Sequence, residues 1–232
     1  MWELLSGPVV DSFWVSSPIA IADASIDWAQ TAEFWTNLKV TMVEVLLGFV
    51  IGATGIVLGF LLGEFRRADS FLDPYLTIGY GIPKTALAPL FILWFGIGLW
   101  AKVMMGAAMV FFLVLFPTIA GLRSVDPDLL NMARVGGASR LQVLTKVKIP
   151  AAFPYVMTGI KVGLPASLIG VIVAEYISSN EGIGYLLVRA GNFFNTAQLF
   201  AGILILALIV FLLNWLVVTV ERYVLRWRPT DD

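Results

Sequence analysis

NMARVGGASRLQVLTKVKIP, residues 131–150, decides how this chain is to be read. It is a charged, amphipathic stretch set inside a sequence otherwise apolar enough for a lipid bilayer. Its Arg134, Arg140, Lys146 and Lys148, with Arg123 just upstream, are five of the 15 Lys and Arg residues of the chain. Asp126 and Pro127 are an N-cap and first-turn pair for a short helix, Gly136 and Gly137 break it, and Ser139 with Gln142 has the spacing of a capping box that opens a second helix. In that second helix Leu141, Leu144 and Val147 share one face, while Arg140, Thr145, Lys146 and Lys148 cover the others, and Pro150 is expected to end it. Periodicity alone leaves two readings open: a basic surface helix resting on anionic lipid, or an element that docks on another protein.

Working outward, 59% of the 232 residues are hydrophobic and 13% are charged, against about 25% charged in a soluble domain. Mean hydropathy is +0.89. The expected class is an all-α polytopic membrane protein, long enough for five spans of ~20 residues and too short for a separate soluble domain. The chain has no Cys and no His, which removes thiol chemistry, disulfides, most zinc sites and imidazole acid–base catalysis. A net charge of -1 says little, because charges in such a chain are sorted by loop.

Residues 1–37 contain Glu3, Asp11, Asp23, Asp27 and Glu33 and no base, and read as a wet, non-cytoplasmic arm with an interfacial helix over 18–34. Without a basic n-region or a small-residue cleavage site it is not a signal peptide. Spans are expected at 38–63, 73–96, 99–122, 151–174 and 198–220, with the polar insert over 123–150 and a tail over 223–232. In the first, Gly48, Gly52, Gly55, Gly59 and Gly63 stack on one face for close helix packing. Asp73 and Pro74 are expected to start the second span, and Pro83 and Pro89 to kink or unwind it. With the N-terminus outside, the inner segments collect ten bases, including Arg66, Arg67, Arg222, Arg226 and Arg228, against Lys39, Lys102 and Arg189 outside. That asymmetry puts the insert and the C-terminus in the cytoplasm. Trp94, Trp100, Tyr185, Trp215, Tyr223 and Trp227 fall near span ends, as an aromatic belt would.

Three ionisable residues lie at membrane depth, Lys84, Lys161 and Glu175. They read either as pathway residues or as structural anchors, since an unpaired charge there costs several kcal/mol. Lys161 and Glu175 stand about 21 Å apart along a helix and cannot pair within it. A lysine on the pathway would suit an anionic substrate. No phosphate-binding loop occurs: Gly182 and Gly184 follow no strand and precede no Gly-Lys-Ser/Thr. The chain therefore carries no such ATP-binding loop of its own. A membrane-embedded enzyme is disfavoured by the missing His, Cys and paired carboxylates.

The insert resembles the EAA loop of type I ABC importer permeases, whose pattern is Glu-Ala-Ala, three residues, Gly, nine residues, Ile-x-Leu-Pro. Ala133, Gly137, Val147, Ile149 and Pro150 fall on that spacing, while Asn131 and Met132 replace the glutamate and first alanine, putting the salt bridge of that glutamate in doubt. SPIAIADA (17–24), IPKTALAPLFILWFGIG (82–98), PAAFPYVMTGIK (150–161) and AEYISSNEGIGYLL (174–187) are similar to the nitrate/sulfonate/taurine branch of these permeases. Relatives usually have a further span upstream of a Trp-Glu-Leu stretch, which is here Trp2, Glu3 and Leu4. The resemblance implies a translocation subunit of the bacterial inner membrane, a homodimer or a pair with a similar permease. Two ATPase subunits would bind ATP and magnesium beneath it, and an external binding protein would deliver a small solute such as a sulfonate or a vitamin precursor. No cofactor is expected in this chain and no nucleic acid among its partners. It also implies that Ala133, Gly137, Ala138, Ser139, Arg140, Leu141, Gln142 and Pro150 carry the ATPase coupling. The rival reading is a self-contained secondary transporter in which Lys84, Lys161 and Glu175 couple ions.

Overall fold

A computed structural model describes residues 14–226, in which all regular structure is helical. Trp2, Glu3, Leu4 and Asp11 of the arm, and Trp227 and Arg228 of the tail, lie outside the described residues.

Helix α1 is Pro18–Ala29, opened by the Ser17 hydroxyl, which accepts from the Ala20 N–H at 3.2 Å. It stops at Gln30, where Thr31 takes over as N-cap of α2 (Ala32–Gly52), accepting from the Phe34 N–H. The single interfacial helix expected over 18–34 is thus two helices, because the Thr31 hydroxyl offers the backbone a local partner that competes with continuing the first one. After a one-residue break at Ala53, α3 (Thr54–Glu64) completes a first span of 33 residues that starts at Ala32.

The second segment departs most from expectation. Helix α4 (Arg66–Gly81) contains Asp73 and Pro74 in its interior, so that pair does not start a helix here. Pro74 loses only the bond its missing N–H would have donated, and the helix tolerates it. Pro83 makes the real break, by holding the preceding Ile82 in an extended conformation (ψ 127). A 3₁₀ turn (Lys84–Leu87) and α5 (Ala88–Phe95) follow at 82° to α4. Pro89 sits in the first turn of α5, where no N–H is needed, and kinks nothing.

Helix α6 (Leu99–Arg123) is the axis of the bundle. All five glycines of the first span face it. An added Cβ would lie 3.0 Å from the Val103 carbonyl at Gly48, 2.5 Å from Val110 at Gly52, 2.7 Å from Thr118 at Gly59 and 2.9 Å from Leu122 at Gly63. On the other side α6 packs along α9 (Ile149–Ser178), with Gly121, Gly159 and Gly170 bringing the two backbones together. Val103, Val110, Val114 and Leu115 of α6 and Val171 of α9 are wholly buried.

The insert forms α7 (Pro127–Val135) and α8 (Arg140–Val143), and a π-turn (Leu144–Lys148) leads directly into α9. Pro150 therefore does not end the second helix: Arg140–Ser178 is one continuous helix of 39 residues. The wide turn immediately before Pro150 gives the ring room against the preceding carbonyls, which an α-helical turn would not. Helix α10 (Ile183–Asn192) is short, and α11 (Thr196–Val224) shows most of its apolar side chains outward. Four helices are long and apolar enough to cross a membrane, five if the bent α4–α5 pair counts as one span.

Candidate functional site

The insert is punctuated at every joint. The Asp126 carboxylate accepts from the Asp128 N–H at 2.8 Å and caps α7. At its far end Gly137 takes the left-handed conformation, φ +80. The Gly137 N–H donates to the Arg134 carbonyl and the Ala138 N–H to the Ala133 carbonyl, each at 3.0 Å, the two bonds of a Schellman motif. A side chain on Gly137 would meet no atom within 4 Å, so the requirement there is conformational, and the space beside it is open. The Ser139 N–H donates to Gln142 Oε1 at 2.8 Å, and the Gln142 N–H to Ser139 Oγ at 3.3 Å, closing the capping box.

These bonds fix the backbone and turn the side chains outward. Met132, Val135 and Leu141 are 72%, 91% and 69% exposed, large apolar groups left uncovered by the described residues, and Arg140 is exposed beside them. Val143 anchors the underside at 5% exposure. Lys148 pairs with Glu64 at 2.6 Å and Arg123 with Asp69, which ties the insert to α3 and α4. Pro150 lies half-buried in the first turn of α9. Ala133, Gly137 and Ala138 thus make the turn, Ser139 and Gln142 start the next helix, and Arg140 and Leu141 project.

Lys84, Lys161 and Glu175 are not brought together. Lys84 donates to the Gly79, Tyr80 and Ile82 carbonyls at 2.9, 2.5 and 2.9 Å, capping the C-terminus of α4, and stands 4.8 Å over the Phe112 ring. Lys161 pairs with Glu221 on α11. Glu175, 1% exposed, accepts from the Thr41 hydroxyl at 2.7 Å and the Gly184 N–H at 2.6 Å. Thr41 in turn accepts from the Ile183 N–H at 2.8 Å, and Asn37 from the Gly182 N–H at 2.6 Å. The N–H of Gly182, which caps α10, and the first two N–H groups of α10 itself are therefore held by buried side chains of α2 and α9, and the Glu175 carboxyl faces the positive end of a helix.

Sequence reasoning missed the other half of this cluster. Lys102, taken for an outer-loop base, is 2% exposed and pairs with Glu44, itself 1% exposed, and with Ser179 at 3.3 Å. Asn37, Thr41 and Glu44 recur at helical spacing in an apolar helix, a polar stripe that could have flagged the site. Nearer the end of α2, Glu33 holds Arg189 of α10 through two hydrogen bonds, which raises the guanidinium further above its ordinary pKa.

With this geometry in view, comparison with known proteins places the chain. Residues 55–227 match the family model described as binding-protein-dependent transport system inner membrane component. The chain belongs to this family. It is 35% identical over 234 residues to the putative aliphatic sulfonates transport permease protein of Bacillus subtilis (strain 168), covering 100% of this chain and 85% of that protein. It is 31% identical over 229 residues to the formylaminopyrimidine transport permease protein of Halalkalibacterium halodurans, covering 98% and 91%. Its fold is that of a chain in an inward-facing structure of the MetNI methionine ABC transporter, with a TM-score of 0.68 at 20% identity, covering 86% of this chain and 97% of that one. The permease is a multi-pass inner-membrane translocation subunit of an ABC importer, without ATPase activity of its own. Its partners are an ATPase and a binding protein.

Proposed function

We propose that residues 133–142 are the surface by which this permease docks on its ATPase, and that the docked insert moves the bundle. One observation carries this reading: the second helix of a capped, outward-facing pair runs through the π-turn into α9, one helix of 39 residues that packs along α6. A force on Arg140 or Leu141 is then delivered to the core without a flexible joint, which is what rigid-body switching between inward-facing and outward-facing states requires. Two ATPases act beneath a pair of permeases, a homodimer or a pair with a similar chain, with the solute path between the two copies. ATP and magnesium are held by the ATPases. The insert and the C-terminus are cytoplasmic and the N-terminal arm is outside, as the basic residues indicate.

The solute is a small molecule of the sulfonate or vitamin-precursor kind, as the names of the relatives suggest. Lys84, Lys161 and Glu175 act as anchors, because each is engaged by its own chain: by helix-end carbonyls, by Glu221, and by Thr41 with Gly184. Those engagements leave the secondary-transporter reading without a free coupling group among the three.

Gly137→Glu puts a side chain on a left-handed residue in the open space of the docking face. We expect the purified variant to remain folded and lose its co-purifying ATPase. Retention of the ATPase at the wild-type ratio would refute the assignment.

A further inference from the structure

The insert carries positive charge that no acidic group among the described residues answers. Of its five bases, Arg123 and Lys148 pair with Asp69 and Glu64, whereas Arg134, Arg140 and Lys146 form no ion pair and no side-chain hydrogen bond with the described residues. The two arginines stand on opposite sides of the turn at Gly136 and Gly137, yet both line one cavity of about 450 Å³, with Phe65 and Val143 as apolar wall and the Lys148–Glu64 pair at one side. A concave, partly apolar space lined by two arginines fits a carboxylate, which a guanidinium binds through paired N–H donors.

We propose that this cavity receives an acidic side chain, Asp or Glu, of the docking ATPase, with Arg134 and Arg140 closing on its carboxylate while Val135 and Leu141 pack on apolar surface around it. The proposal rests on the docking reading above. A protein side chain is favoured over the headgroups of anionic lipid on shape: both arginines line a recess rather than standing in a row over a flat layer. The Gly137 turn sets their placement, since it fixes the angle between the helices that carry them.

The test measures binding of the cognate ATPase to the full permease in nanodiscs, at low and high NaCl, for the wild type, Arg134→Gln, Arg140→Gln and the double variant. Both positions belong to the insert surface, and a monodisperse elution profile checks that each variant is folded. We expect the double variant to bind about tenfold more weakly at low salt, and the salt dependence seen in the wild type to flatten. An Asp or Glu on the ATPase whose change to Arg restores binding to the Arg134→Glu, Arg140→Glu permease would identify the partner group. Wild-type affinity and salt dependence in the double variant would overturn the proposal, as would a loss confined to anionic-lipid nanodiscs and absent in neutral ones. Gly137→Glu, run in parallel, separates the two ideas. If it abolishes binding while the arginine variants do not, docking stands and this charge contact falls.

Discussion

Lys102 and Glu44 show how far a single residue can be from its appearance in the sequence. Lys102 begins a span and looks like a loop base, yet it is buried beside a carboxylate that stands on another helix. The pairing depends on α2 and α6 lying side by side in one register, and no local pattern encodes it. The glycine stripe that permits that register was legible. What Glu175 does, holding the start of α10, was not. Removing one partner of a buried ion pair strands the other, at a cost of roughly 3–5 kcal/mol. Lys102→Met should accordingly lower the thermal unfolding temperature of the detergent-solubilised permease, and adding Glu44→Gln should recover part of the loss. An unfolding temperature unmoved by Lys102→Met would show that the pair does not stabilise the fold.

Among the elements, the polar punctuation was read more accurately than the prolines. The Asp126 cap, the break at Gly137 and the capping box of Ser139 and Gln142 are local bonds between residues two to five apart, and composition at those spacings specifies them. Asp73–Pro74 has the same composition as Asp126–Pro127, but α4 has already begun eight residues earlier and absorbs it. Pro150 is absorbed by the π-turn, a feature without a sequence signature of its own. Pro83 breaks the chain because it forces Ile82 out of the helix. Close approach of α3 to α6 gives a test at this scale. Gly55→Leu drives a side chain into the Phe111 carbonyl and Val114, and should cost about 1–3 kcal/mol or more. Gly81→Ala, with nothing within 4 Å, should leave the melting temperature unchanged. Equal stability of the two variants would refute the packing assigned to the stripe.

At the scale of the whole molecule, a rigid exposed insert, one unbroken helix behind it and a glycine-lined seam form a continuous mechanical path from surface to core. The described residues give that path no joint: the insert is tied to α3 and α4 by Lys148–Glu64 and Arg123–Asp69, and α9 is locked to α6 along its length. The path can transmit work only if the insert faces the compartment that holds the ATPase. The chain has no cysteine, so Ser139→Cys supplies a single reactive thiol at the proposed docking face. With a membrane-impermeant maleimide, this thiol should be labelled in inverted membrane vesicles, shielded there when the ATPase is bound, and untouched in right-side-out vesicles. Labelling from the outer face, or labelling in inverted vesicles that the bound ATPase leaves undiminished, would contradict the account.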